Sequence, residues 1–250
     1  MKFAVNMYRL NIKTSFCTYT KKIKILALLF VLLLVSVNWG PTLWGMYLIS
    51  KSVESLGGEK AFNKLVTREF EKYSTLNQID LDFITIGLPE GFENDEIDEF
   101  KPSMYSLSNQ SGSNLVISNR LLDDVNVSKL VSRLKRNDKF GIGFIESDFD
   151  LFSSLVNLTP KEISVFSSAA EVEKMLVLLN FRMIYVYKTE REFNYFKLDD
   201  RLEAIQLREH AFKGRVLLFD NKNWLAEINY DSLSQDDIDT FLANLTITQL

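Results

Sequence analysis

One cysteine, one histidine and four prolines in 250 residues remove several kinds of chemistry at the outset. A single imidazole, His210, excludes multi-histidine metal centres and the HExxH arrangement, and it leaves one possible imidazole base. It sits beside Arg208 and Glu209 near the end of an apolar stretch, the ordinary setting of a surface histidine. No G-x-S-x-G elbow is present to supply a nucleophile for it. Cys17 is the only thiol, so the chain beyond it holds no disulfide and must fold around an ordinary apolar core. Because Cys17 precedes the longest apolar run, it does not have the position of a lipobox cysteine, which would follow the run, and it reads as an idle cytoplasmic thiol.

Acidic residues are absent from the first 50 positions, whereas Lys2, Arg9, Lys13, Lys21, Lys22 and Lys24 all lie there. The remaining 23 of the 29 basic residues and all 33 acidic ones fall beyond position 50, a net charge of −10 for that part. The chain's formal value of −4 hides this split. A part so acidic is not a nucleic-acid or anionic-membrane binder by bulk electrostatics; its charge would either steer it toward a basic partner or simply keep it soluble.

Between these two regions Ile25–Val37 is uncharged, with Ser36 its only polar residue, and it lacks the small-residue pair of a signal-peptidase site. Apolar character resumes after Gly40-Pro41 and continues to Ile49. Residues 25–49 as one helix would measure about 37 Å at ~1.5 Å per residue, enough to cross a hydrocarbon core of about 30 Å. Lys21, Lys22 and Lys24 suit one interface and Trp39, Trp44 and Tyr47 the other. The expectation is a retained single-pass anchor in the cell's inner (plasma) membrane. The basic segment 1–24 is then cytoplasmic and the larger part periplasmic or otherwise extracytoplasmic.

Beyond the anchor, residues 50–78 read as a juxtamembrane helical region, with Phe62, Leu65, Val66, Phe70 and Tyr73 at helical spacing over Glu59–Tyr73. Residues 79–250 read as one α+β domain, an antiparallel sheet with flanking helices. Ile79–Ile86 alternates as a strand, residues 100–112 are polar enough for a long loop, and Asn114–Ser118 is a short strand. Ser128–Arg136 is an amphipathic helix. Thr159-Pro-Lys-Glu162 and Ser168-Ala-Ala-Glu171 both have capping-box spacing, the second helix running to about Leu179. Arg182–Lys188, Phe193–Leu198 and Leu202–Arg208 read as strands. Arg215–Phe219 and Trp224–Tyr230 flank Asp220-Asn-Lys-Asn223, a hairpin signal. On the latter strand Trp224, Ala226, Ile228 and Tyr230 fall on one face. Ser234 caps a last helix, whose Phe241 is expected in one core with Trp224 and Ile228.

The chemical motifs are weak. Ser132-Arg-Leu-Lys135 matches S-x-x-K without its companion motifs and inside a helix. Phe140-Gly-Ile-Gly-Phe144 carries Glu146 where a dinucleotide loop needs its third glycine. Lys129, Arg133, Lys135, Arg136 and Lys139 form a basic helix face. Asp148 and Asp150 are paired acids, and Asp236, Asp237 and Asp239 open a helix where the macrodipole favours them. The densest acids, Glu93, Asp95, Glu96 and Asp98, fit no EF-hand spacing and are the candidates for contact with a basic protein. No metal, cofactor or catalytic set is implied. The expected function is a membrane-anchored, protein-binding domain without catalysis, such as a periplasmic immunity-type or envelope-complex subunit. The alternative is a membrane-anchored, carboxylate-dependent hydrolase, since acids are the one abundant catalytic residue type.

Overall fold

The structure is a computed structural model that describes residues 40–69, 77–88, 91–94, 104–120, 131 and 145–248. Two apolar layers are built on the two faces of one large sheet. Among the described residues the sheet has eight strands: β1 (Val66–Thr67), β4 (Phe92–Asn94), β5 (Met104–Asn109), β6 (Asn114–Asn119), β7 (Glu192–Lys197), β8 (Leu202–His210), β9 (Lys213–Asp220) and β10 (Asn223–Asp231), in the order β1-β7-β8-β9-β10-β6-β5-β4. Every pairing is antiparallel except β1 with β7, so the sheet is mixed. A second sheet joins β2 (Asn77–Asp80), β3 (Ile84–Leu88) and β11 (Thr246–Ile247) in the order β11-β3-β2.

Central strands buried on both faces read as unbroken apolar runs. In β9, Val216 and Leu218 pack toward the second sheet and α4 (Gln235–Ala243), while Leu217 and Phe219 pack toward the helices on the opposite face. Among the elements described in full, those helices are α1 (residues 40–55), α2 (Asp148–Val156) and α3 (Ala169–Tyr185). The β9–β10 turn places Asn221 and Lys222 at φ of 47° and 67°, the paired left-handed geometry of a tight two-residue hairpin. Ser168 and Ser234 cap α3 and α4 as capping boxes with Glu171 and Asp237.

Several expectations are corrected. Glu59–Tyr73 is not a helix as far as it is described. A 3-10 turn, Glu59–Ala61, gives way to extended chain and to β1, whose β-branched Val66 and Thr67 pair with Asn194 and Tyr195. The juxtamembrane helix therefore ends at residue 55. Ile79–Ile86 is two strands divided by a turn at 81–83, and β5 occupies what composition marks as loop. Arg182–Lys188 is not a strand, because α3 continues through Tyr185. Thr159 starts only the 3-10 turn Pro160–Glu162 and makes no side-chain cap. Trp224 does not share a core with Ile228 and Phe241. A bulge between Trp224 and Ala226 turns its indole to the helix-covered face, against Phe152 at 4.9 Å between ring centres.

Among the described residues no helix is long and apolar enough to cross a membrane. Positions 25–39 of the expected anchor lie outside the described residues. Residues 40–49 belong to α1, and they do not simply extend a span, since Gly45 lies against Val172 and Ile49 is buried in the domain's core. Ser128–Arg136 also lies outside them, except Val131, which is helical and buried.

Candidate functional site

On the helix-covered face of the large sheet, beside β6 and the outer parts of β9 and β10, the described residues line a recess of about 200 Å³. Arg215 of β9 lines it, only 4% exposed. Its guanidinium donates to both oxygens of Glu190, through Nε at 2.6 Å and Nη2 at 3.3 Å, and through Nη1 to Glu227 of β10 at 3.2 Å. A further Nη2 hydrogen bond reaches the carbonyl of Tyr185 at the end of α3. The Tyr187 ring lies 4.2 Å from the guanidinium carbon, and the Tyr187 N–H donates to Glu190 at 2.7 Å. Arg120 pairs with the other oxygen of Glu227 and lies over the Trp224 ring at 4.9 Å. Two carboxylates and two guanidinium groups thus interlock, and both carboxylates are almost wholly buried.

Burial pushes the Glu190 carboxyl above its usual range, while the charge and hydrogen bonds of Arg215 pull it back; nearby Glu227 adds to the rise. Burial works against the Arg215 cation, but Glu190 and then Glu227 more than offset it, and its pKa rises. Around this floor stand polar side chains, among them Asn114, Glu209, Lys213, Asn229 and Asp231. The surface beside the recess is apolar: Met183, Ile184 and Tyr187 at the end of α3 and Phe212 in the β8–β9 turn are each 45% exposed or more.

Chemically, Glu190 lines the hollow whereas Glu227, which shares Arg215 with it, does not, and paired acid–base catalysis needs two carboxylates converging in one hollow. Each acid is also held by arginine, and Glu190 accepts a backbone N–H as well, so their lone pairs are spent on protein donors. Among the described residues no group of three or more His, Cys, Asp or Glu is placed to hold a metal.

Little of this coincides with the residues singled out from sequence. Glu93 is exposed on β4 at the far end of the sheet order from β7, facing Ser108 in register, and Asp95, Glu96 and Asp98 lie outside the described residues. So do Ser132, Lys135, the 140–144 glycine segment and the basic positions 129–139 named with it. His210 is exposed at the end of β8, its Nδ1 accepting the Phe212 N–H at 3.3 Å. Asp148 and Asp150 belong to the start of α2. The first accepts the Trp224 N–H at 3.0 Å, and the second is in the turn capped by Ser147. Asp236, Asp237 and Asp239 open α4. The missed residues are Arg120, Tyr187, Glu190, Arg215 and Glu227. Glu227 did carry a signal, a lone charge inside Trp-Leu-Ala-Glu-Ile, where a strand buried on both faces needs a partner for it. No protein-family model, curated protein or solved structure matches this chain.

Proposed function

We propose that the chain is a single-pass membrane protein whose exported domain binds another protein, and that the recess and the adjoining end of α3 form its recognition face. The reading rests on the juxtaposition of exposed Met183, Ile184, Tyr187 and Phe212 with a hollow whose floor is locked in place by ion pairs. Interfaces draw their affinity from apolar and aromatic anchors that sit against rigid, water-excluding surroundings. Asp231 on the rim, where Glu209 already pairs with Lys213 at 3.7 Å, and the −10 charge beyond position 50 suit a basic side chain on the partner. The acidic group Glu93, Asp95, Glu96 and Asp98 would then speed encounter rather than form the contact. The anchor over 25–49 belongs to the same proposal.

A photo-crosslinking residue placed in cells at Ile184 and at Phe212 tests it. Both positions should give the same discrete adduct, while Lys222 on the β9–β10 turn should give none. Absence of a common adduct removes the recognition face. The second reading, a carboxylate-dependent hydrolase, is favoured by the raised pKa of Glu190 in a hollow. It requires turnover by the purified chain that Glu190→Gln abolishes.

A further inference from the structure

We propose that the opposite end of the helix layer seats on the bilayer, and that the turn 164–167 enters the lipid interface beside α1 as a second contact. This rests on the tether reading above. α1 and α3 lie side by side and run the same way: Gly45 meets Val172 and Leu176, and ten residues on, Ser55 reaches Met183 with 3.8 Å between Oγ and Sδ. A Cβ at Gly45 would fall 2.1 Å from Val172, so the glycine permits this approach. The turn that leads into α3 is therefore at the same end as the first turn of α1.

A second group of exposed apolar side chains gathers at that end. Phe166 is 87% exposed and Val165 40%, while α1 presents Leu43, Trp44, Tyr47 and Leu48, with Trp44 and Tyr47 stacked at 5.3 Å. Farther along, the outward positions of α1 change to Ser50, Lys51 and Glu54, the last two bridged at 2.8 Å. The outward face of the helix thus passes from apolar and aromatic to charged, in the order a chain meets when it leaves a bilayer. Upstream of residue 40 the sequence is the uncharged run Ile25–Val37. Continuity with that run selects lipid as the occupant.

The turn is also built for the interface. Ser164 N–H donates to Ser167 Oγ at 3.0 Å, Phe166 N–H to Ser164 Oγ at 3.2 Å, and Ser167 N–H to the Ser164 carbonyl at 3.0 Å. Three of the four backbone donors of residues 164–167 are thus satisfied internally, which lowers the cost of moving the Val165 and Phe166 side chains out of water. Two apolar contacts, one on α1 and one on this turn, would fix the tilt of the domain and hold the recess away from the membrane.

The test uses the full chain in phosphatidylcholine–phosphatidylglycerol vesicles. With Cys17→Ser removing the native thiol, single cysteines at Phe166→Cys, Phe212→Cys and Phe30→Cys carry an environment-sensitive fluorophore. Lipid spin-labelled near the headgroup and aqueous iodide serve as quenchers. Phe212 is the apolar control at the far end, since nearby Arg215 bonds to the last carbonyl of α3. The proposal expects the 166 probe to be quenched by the spin-labelled lipid and shielded from iodide, with the reverse at 212. Quenching by lipid at 30 but not at 166 overturns this inference and leaves the tether standing. Failure at both positions overturns the two together. Shielding of 166 from iodide without lipid quenching assigns the face to a second copy of the chain and rejects lipid.

Discussion

Replacing Arg215 with methionine would test whether the interlocked charges hold the domain together. Methionine keeps much of the apolar stem but removes the cation from between Glu190 and Glu227. Glu227 keeps Arg120, whereas Glu190 keeps only the Tyr187 N–H and sits 2% exposed. Stranding one partner of a buried pair costs about 3–5 kcal/mol, against a total stability of roughly 5–15 kcal/mol for a typical domain. The loss should depend on pH in a definite direction. Burial already raises Glu190 and Arg215 opposes that rise, so removing Arg215 raises it further. An acid whose folded pKa lies above its unfolded value keeps an extra proton in the native state. Its contribution is present at low pH and is lost as pH climbs through the folded pKa. Up to about 1.4 kcal/mol per pH unit is at stake across that window. Urea unfolding of the Arg215→Met chain, followed by far-UV circular dichroism, should show its largest deficit near pH ~8 and a smaller one near pH ~5. Adding Glu190→Gln should restore most of the loss at the higher pH. An equal deficit at both pH values, or no recovery in the double variant, would refute the electrostatic account and leave lost packing as the cause.

Two further stability measurements follow from the backbone. At Gly214 an added Cβ would lie 2.5 Å from the Leu207 carbonyl oxygen and 2.7 Å from the Tyr230 hydroxyl. Gly214→Ala should therefore destabilise by about 1–3 kcal/mol in equilibrium unfolding, and an unchanged midpoint would contradict that close approach. Trp224 and Phe241 lie on opposite sides of the sheet. Phe241→Ala should cost about 3–5 kcal/mol and half-buried Trp224→Ala about 2–3 kcal/mol. The double variant should be additive within about 0.5 kcal/mol, and coupling beyond about 1 kcal/mol would place both residues in one core.

The central strands β7 to β10 were legible because local and tertiary preferences agree there. Val216–Phe219 is apolar throughout, and Asp220–Asn223 accepts the left-handed turn that joins it to β10. The capping boxes at Ser168 and Ser234 were legible for the same reason. The spacing at Thr159 was misleading because serines follow it. Ser164 and Ser167 bond the local backbone and compete with helix propagation. Serine also concealed β5. Tyr105 and Leu107 alternate inward between Ser106 and Ser108, but the segment's overall polarity resembles a loop. The bulge at Trp224 reverses one side chain with no glycine to mark it. As for the recess, Arg215 and Glu227 come from the two strands of one hairpin, but Glu190 lies in the loop between α3 and β7 and Arg120 just past β6, so the tertiary fold is needed to bring the four together.

Arg182 shows how the fold binds its N-terminal segment to the domain without a carboxylate. It is 1% exposed on the inner side of α3, and burial lowers its pKa to about 10, so it stays cationic at neutral pH. Its two terminal nitrogens donate to the carbonyl of Leu155, in the last turn of α2, and to that of Ala61, which ends the 3-10 turn Glu59–Ala61, at 2.5 Å for the latter. Both are helix-end carbonyls, which lack intrahelical donors and carry the negative end of a helix dipole. The faces of Phe62 and Phe193 lie 4.8 and 5.2 Å from the guanidinium carbon and add quadrupole attraction. A lysine could not span this arrangement, because one ammonium lacks the planar fork that reaches two carbonyls while stacking on rings. Since Ala61 follows α1 by only a few residues, this cation joins the end of α1 to α2, α3 and β7.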